Sequence, residues 1–257
     1  MKARCIWTIS LVICAMMFAI VASRNAVADI VGLWLLDDGK GDVATDSSGR
    51  GHDGKITGCK WVDGKIEKAL RFEAGNTMEV PHHDDFNVRE NMTIQLWANI
   101  ENLPLDHVGI PGKGHDQPVG SFVFHPTKLG AKEFELRFYI SIGNAWPATK
   151  SAAIPFGEWH HLAGTYDGSE IKVYVDGKLA GTTAQKGKIN ISDGAPLKFA
   201  HDCCGNRTIV GILDEICFSN VALTEDEIKR SMEGLTMAVK PSGKIATAWG
   251  KVKWESQ

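Results

Sequence analysis

The chain is predicted to be all-β, an antiparallel two-sheet sandwich with one short helix near its C-terminal end. Three observations predict this. First, Trp159 to Thr183 reads as three short strands, 159–166, 170–175 and 178–183, separated by Asp167-Gly168 and Asp176-Gly177. Asp-Gly between alternating apolar runs is a strong hairpin signal, because the turn needs positive φ and glycine adopts it without a side-chain clash. Second, apolar residues recur with a period of two. Ile171, Val173 and Val175 alternate with Glu170, Lys172 and Tyr174, and residues 92–100 and 134–142 alternate in the same way. A meander of this kind has one dry face, which a second sheet must cover. Third, Thr224-Glu225-Asp226-Glu227 is a capping box, with Leu223 and Ile228 placed as a hydrophobic staple. The helix it starts runs to about Glu233 and stops at Gly234.

The stretch Glu158-Trp159-His160-His161-Leu162-Ala163-Gly164-Thr165-Tyr166-Asp167-Gly168, followed by Val173-Tyr174-Val175-Asp176-Gly177-Lys178, resembles the signature of the LamG-like jelly-roll domains. These belong to the concanavalin A-like lectin/glucanase fold, with pentraxin and laminin G relatives. The other hallmarks stand in the expected order. Leu33-Trp34-Leu35-Leu36-Asp37-Asp38-Gly39 precedes Asp46-Ser47-Ser48-Gly49-Arg50-Gly51-His52-Asp53-Gly54. Ala69-Leu70-Arg71-Phe72, Met92-Thr93-Ile94-Gln95-Leu96-Trp97 and Gly211-Ile212-Leu213-Asp214-Glu215-Ile216 follow. The resemblance covers roughly 30–235 and implies a jelly roll whose opening and closing strands are neighbours, with Trp34 near Leu213. It implies little about activity, since lectins, adhesion modules, accessory modules and enzymes share the fold.

Residues 1–28 read as a signal peptide: Lys2 and Arg4 supply the charged start, an apolar run follows from Ile6 to about Ala22, and Ala26-Val27-Ala28 offers small residues for cleavage. The rival reading is an uncleaved anchor, since the run approaches bilayer-spanning length. Cleavage would leave a domain at 29–235 and a tail at 236–257, and would take the formal charge from −3 to −6. A mildly acidic chain without a basic block argues against nucleic acid or an anionic membrane surface as partner. The expected product is secreted, periplasmic or at the cell surface, without a membrane span after cleavage, and monomeric. The tail, with Pro241, Gly243 and two tryptophans, is either an added edge strand or an appendage.

Cys59, Cys203, Cys204 and Cys217 remain after cleavage. Four cysteines in an exported chain suggest up to two disulfides, with three possible connectivities. Cys203 and Cys204 are neighbours and would form a strained ring with each other. The preferred pairing joins Cys59 to one of them and Cys217 to the other.

Residues 30–37 read as the first strand, and Asp37 to Gly54 as a turn-rich loop carrying Asp37, Asp38, Asp42, Asp46 and Asp53. Hard oxygen ligands on a tightly folding loop suit calcium. The resemblance brings this loop near the closing strand, so one structural calcium would be held by Asp46, Asp214 and Asp38. The competing reading is that these aspartates form Asx-turns with their own backbone. Short strands follow around Ile56, Ala69–Phe72 and Met78–Val80. In His82-His83-Asp84-Asp85, adjacent histidines on extended chain point to opposite sides, which argues against joint ligation and for a solvated loop.

In 92–100 the residues Thr93, Gln95, Trp97 and Asn99 share the face opposite the core residues, and Trp97 is either a sugar-stacking platform or covered by a loop. Residues 101–133 are loop-rich, with a short strand at Ser121–Phe124. In the strand Phe134–Ile142, Phe134, Leu136, Phe138, Ile140 and Ile142 point inward while Glu135, Arg137, Tyr139 and Ser141 point out. Arg137, Tyr139 and Trp146 then offer a hydrogen-bonding fork and two aromatic planes within one hairpin, which suits a carbohydrate as well as it suits an ordinary surface. Later strands fall at Leu197–Ala200 and 209–218.

No E-x-D-x-x-E run of the kind the fold's glucanases place in their cleft is present, nor G-x-S-x-G, nor H-E-x-x-H. The sequence therefore predicts an exported binding module without catalysis, for glycan or adhesion. The alternatives are a structural or protein-interaction module without a sugar site, and a glycan hydrolase or lyase.

Overall fold

The period-two segments become paired strands, and the parity of each residue decides whether it meets the core. The computed structural model describes residues 30–105, 108–114, 119–200 and 207–234. The 1–28 segment, Cys203, Cys204 and the 236–257 tail lie outside the described residues.

The strands in chain order are β1 (Ile30–Trp34), β2 (Val43–Ala44), β3 (Gly54–Thr57), β4 (Lys60–Asp63), β5 (Lys68–Phe72) and β6 (Thr77–Val80). Next come β7 (Met92–Asn102), β8 (Gly112–Lys113), β9 (Phe122–Lys128), β10 (Glu133–Ile140), β11 (Ala148–Lys150) and β12 (Ile154–Pro155). The last are β13 (Trp159–Tyr166), β14 (Glu170–Val175), β15 (Lys178–Ala184), β16 (Leu197–Phe199) and β17 (Val210–Ser219), followed by α1 (Glu225–Ser231). One sheet has eight strands in the order β15-β14-β13-β7-β17-β5-β4, with β1 also paired to β17. The other has nine, in the order β11-β10-β9-β8-β16-β6-β3-β2, with β12 paired to β10. All pairings are antiparallel, as the sandwich reading requires.

The expected union of the chain's opening and closing strands is present, with Trp34 opposite Ile216 and Leu33 opposite Cys217. In the β14–β15 turn, Asp176 and Gly177 have φ of 50° and 73°. Those are the positive angles that a two-residue hairpin of this twist demands. Between the layers lie Trp34, Phe72, Phe122, Phe124, Phe138, Leu213 and Phe218, all fully buried. Gly164 faces that interior: a Cβ there would sit 2.8 Å from Cδ1 of Phe138 and 3.0 Å from Cε2 of Phe124.

In β17 the alternation breaks. Asp214 is opposite Trp97, yet Cys217 is opposite Gln95, so the strand carries a bulge at Glu215, whose φ is 50°. The extra residue returns Ile216 and Phe218 to the core side that Leu213 already occupies.

Outside the eight-stranded sheet, the chain covers its own face. The capping box of α1 forms as read, with Thr224 Oγ1 accepting from the Glu227 backbone and the Glu227 side chain accepting from the Thr224 backbone. Ile228 of α1 packs on Ala163 and Tyr174, with Leu223 beside them, and Ser231 Oγ donates to Gln95 Oε1 at 2.6 Å. Farther along, the turn between β4 and β5 folds down over Trp97.

Candidate functional site

The sequence offers as candidate ligand contacts Trp97 on one strand and Arg137, Tyr139 and Trp146 within one hairpin. The two sets lie on different sheets, Trp97 on β7 and Arg137 and Tyr139 on β10. Trp97 lies on the outer face of the eight-stranded sheet but is only 7% exposed. The ammonium of Lys65 stands 4.5 Å above its ring and the His161 ring meets it edge-on at 5.4 Å. Asp214 holds that cover in place, accepting the backbone N–H of Lys65 at 2.8 Å and of Ile66 at 3.0 Å. Trp97 is thus a largely covered residue, as in the second of the two readings its parity allowed.

Arg137 and Tyr139 do share a surface, the outer face of the nine-stranded sheet. In β10, Glu135, Arg137 and Tyr139 face out, opposite Thr127, His125 and Val123 of β9, while Arg137 and Tyr139 also face Lys150 and Ala148 of β11. Arg137 donates through Nε to Glu135 Oε1 at 2.6 Å, its Nη2 meets the same oxygen, and its Nη1 donates to the Tyr139 hydroxyl at 3.4 Å. Lys150 Nζ takes the other Glu135 oxygen at 3.0 Å. Burial works to raise the Glu135 pKa, but Lys150 and Arg137 outweigh it and hold the carboxyl below its ordinary value. His125 packs edge-on to Tyr139 at 6.0 Å and approaches Thr127 Oγ1 through Nδ1 at 3.2 Å. In the turn that joins β10 to β11, the Trp146 indole lies over Gly120, where any Cβ would overlap the ring.

The strip therefore holds a half-exposed guanidinium with a fixed orientation and a half-exposed phenol, and the turn after β10 holds a half-exposed indole. Donors and acceptors beside flat apolar rings can engage hydroxyls and the C–H face of a ring together. His125 and Lys150 were invisible as members, because the register that sets β9 and β11 beside β10 is not written in the alternation of any one strand.

The three candidate calcium ligands are otherwise engaged. Asp46 accepts four hydrogen bonds, from the backbone of Leu33 (3.0 Å), Ser48 (2.9 Å) and His52 (2.9 Å) and from the Ser48 hydroxyl (2.8 Å). That count uses all the lone-pair directions of a carboxylate. Burial opposes its ionisation, yet Ser48 and these backbone donors hold its pKa below the ordinary carboxylate value. Asp38 accepts from the backbone and hydroxyl of Thr45. Asp214 accepts from Lys65, Ile66 and Glu215, and burial pushes its pKa up to about 7 against those donors. Among the described residues, none of the three joins a group of three side chains with ligand atoms within 4.8 Å of one another. As arranged, they do not fit a calcium cage, and they hold the loops as side chain–backbone turns do.

Cys59 and Cys217 are free thiols, set in different surroundings. Cys217 packs under β1 with Ile30 and Leu33, and Cys59 donates to the Thr77 carbonyl at 3.5 Å. Burial pushes both thiols up to about 12, which favours the protonated form at neutral pH.

His82 and His83 point apart, as their extended backbone demands, but neither is simply solvated. His83 gathers with His52 and Asp85, and His82 with Asp84 and Asp193. His52 lies in the loop after β2 and Asp193 far along the chain, so the linear sequence carried no signal for either grouping.

With this geometry in place, comparison with known proteins locates the chain. A family model described as the concanavalin A-like lectin/glucanases superfamily matches residues 72–229. No match was found among the curated proteins. Among solved structures, the chain is similar to domain 4 of AbnA, a GH43 extracellular arabinanase from Geobacillus stearothermophilus in complex with arabinotriose. The two share 21% identity at a TM-score of 0.64, over 79% of this chain and 97% of that one. It is also similar to the binding domain of botulinum neurotoxin DC in complex with SialylT, at 14% identity and a TM-score of 0.60, over 78% of this chain and 50% of that one. A Trypanosoma rangeli sialidase in complex with the inhibitor DANA matches at 18% identity and a TM-score of 0.55, over 77% of this chain and 32% of that one. The chain thus spans about half of the toxin domain and about a third of the sialidase.

Proposed function

The chain belongs to the concanavalin A-like lectin/glucanase superfamily, and from that premise we propose that it is an exported, non-catalytic glycan-binding module. The carrying observation is the strip of Tyr139 and Arg137 on the outer face of the nine-stranded sheet, beside Glu135, His125 and Lys150, with Trp146 following in the turn that joins β10 to β11. Its competitor, the outer face of the eight-stranded sheet, is taken up by α1 and by the β4–β5 turn. Structural neighbours solved in complex with arabinotriose and with SialylT lend weight to a carbohydrate ligand. On this strip, Glu135 is unsuited to act as a general acid. A general acid needs a raised pKa, whereas Lys150 and Arg137 hold this carboxyl down. The interaction-module alternative expects a face without aromatic residues, and Tyr139 and Trp146 favour the sugar reading over it. Export rests on the signal-like character of residues 1–28.

The test is a glycan array, followed by affinity electrophoresis on the polysaccharides it selects, with the chain from residue 29 onward, in calcium and in chelator. Retention is expected, and loss of one aromatic contact of about 1.4 kcal/mol would weaken it roughly tenfold. Tyr139→Ala and Trp146→Ala should each show that loss. Binding of no glycan at all, or equal retention of both variants, would refute the reading.

A further inference from the structure

We propose that His52, His83 and Asp85 form a binding site for a zinc-class divalent cation, separate from the glycan-facing strip. The starting point is His52, a buried side chain with 4% exposure. Its Nδ1 lies 2.8 Å from the Val31 carbonyl oxygen. A carbonyl only accepts, so Nδ1 carries the proton and Nε2 presents its lone pair. That Nε2 is buried and has no hydrogen-bond partner among the described residues. It is aimed at Asp85, whose Oδ2 is 3.6 Å away. An imidazole that donates one N–H to a backbone carbonyl while its other nitrogen stays bare is oriented as metal-ligating histidines are.

The other two ligands come from the short 3-10 turn Asp84–Phe86 between β6 and β7. His83 precedes that turn and its ring centroid lies 4.5 Å from that of His52. Asp85 Oδ1 is 3.5 Å from His83 Nδ1. One ligand atom from each of the three residues falls within 4.8 Å of the other two. Metal–nitrogen and metal–oxygen bonds of about 2.0–2.1 Å at tetrahedral angles put ligand atoms about 3.4 Å apart, so small rotations of the two partly exposed side chains close the site. The turn itself is anchored, because the Phe86 ring packs on His52 at 4.7 Å and on Phe218 in the core at 6.0 Å.

Two imidazoles and one carboxylate are a donor set for zinc and its neighbours rather than for calcium, which prefers oxygen alone. Two present bonds must yield. Arg50 Nη1 donates to Asp85 Oδ2 at 3.0 Å, and the Asp85 backbone N–H donates to His83 Nδ1 at 3.2 Å. Arg50 keeps its Nε bond to the Ile30 carbonyl at 2.8 Å in any case. His83 is half exposed, so solvent reaches the fourth position. The companion group of His82, Asp84 and Asp193 lacks this construction. Its two carboxylates are exposed, and both ring nitrogens of His82 already have polar neighbours, Asp193 Oδ1 at 3.3 Å from Nε2 and the buried Lys113 amine at 3.4 Å from Nδ1. A bound ion would tie the aspartate-rich loop after β2 to the turn before β7.

The test titrates the chain from residue 29 onward with zinc chloride, following the thermal midpoint, and with cobalt chloride, following visible absorption. Wild type should gain stability with zinc, and with cobalt should develop the intense bands of a four-coordinate nitrogen–oxygen site. His83→Ala, a change at an exposed position, should weaken zinc binding at least about tenfold and abolish those bands, while His82→Ala should leave both intact. Wild type with neither response would overturn the proposal. So would a response that His83→Ala keeps in full, or one that His82→Ala removes.

Discussion

His161 should make the stability of this protein depend on pH in a direction and window that the structure specifies. The side chain is 2% exposed, sits edge-on to Trp97, and its Nδ1 has no hydrogen-bond partner among the described residues. Burial pushes its pKa from 6.5 down to about 4, with the nearby Asp176 pulling weakly the other way. A group with a depressed folded pKa contributes stability that is complete above its unfolded pKa. That stability is lost as pH falls from about 6.5 through about 4. At 1.36 kcal/mol per pH unit, a fall from 6.5 to about 4 corresponds to roughly 3 kcal/mol. The comparison is urea denaturation of wild type and His161→Leu between pH 7 and pH 4. Leucine removes the ionisable ring at a site where the ring makes no side-chain hydrogen bond, and every other titration is common to both proteins. The stability gap between them should shift in favour of the variant by roughly 3 kcal/mol across that window. Parallel curves, or an imidazole signal of His161 titrating near 6.5 by NMR, would refute the reasoning.

Asp46→Ala should be among the costlier single changes. It strips the acceptor from the buried backbone N–H groups of Leu33, Ser48 and His52, so a loss of about 3–5 kcal/mol is expected in urea denaturation. Gly164→Ala should cost about 1–3 kcal/mol by forcing Phe138 and Phe124 apart, and should leave glycan retention unchanged because that contact lies between the sheets.

How far the sequence could be read follows from which facts are local. Alternation in 134–142 sorts Arg137 and Tyr139 from Phe134, Leu136 and Phe138, and the structure keeps that sorting. Asp-Gly at 176–177 marks a turn because two positive φ angles are a property of two residues. The same reasoning puts Trp97 on an outer face, but parity says nothing about what lies above it. Its cover depends on Asp214 gripping the backbone at Lys65, 149 positions away. Strand β8 is two residues between Pro111 and Gly114, too short to show a period. The bulge at Glu215 breaks the parity of β17 outright, so the side on which Asp214 falls cannot be extrapolated from Phe218. The His52–His83 pairing needs a tertiary contact across 31 residues.

In the aspartate-rich loop, composition alone does not separate an ion ligand from a scaffold residue. Its acidic residues invite a calcium reading, yet a loop of 37–54 has many backbone N–H groups that no strand pairs. An aspartate is the shortest side chain that can accept several of them at once. Asp46 takes Leu33, Ser48 and His52, Asp38 takes Thr45, and Asp53 takes Asp46 at 2.8 Å. Once carboxylate lone pairs are committed to the backbone, little remains for a hard cation. The effect is to fix the loop, and the loop in turn delivers His52 into a buried position with its Nδ1 on the Val31 carbonyl. The carboxylates of this loop thus act as scaffolding for the buried imidazole of His52.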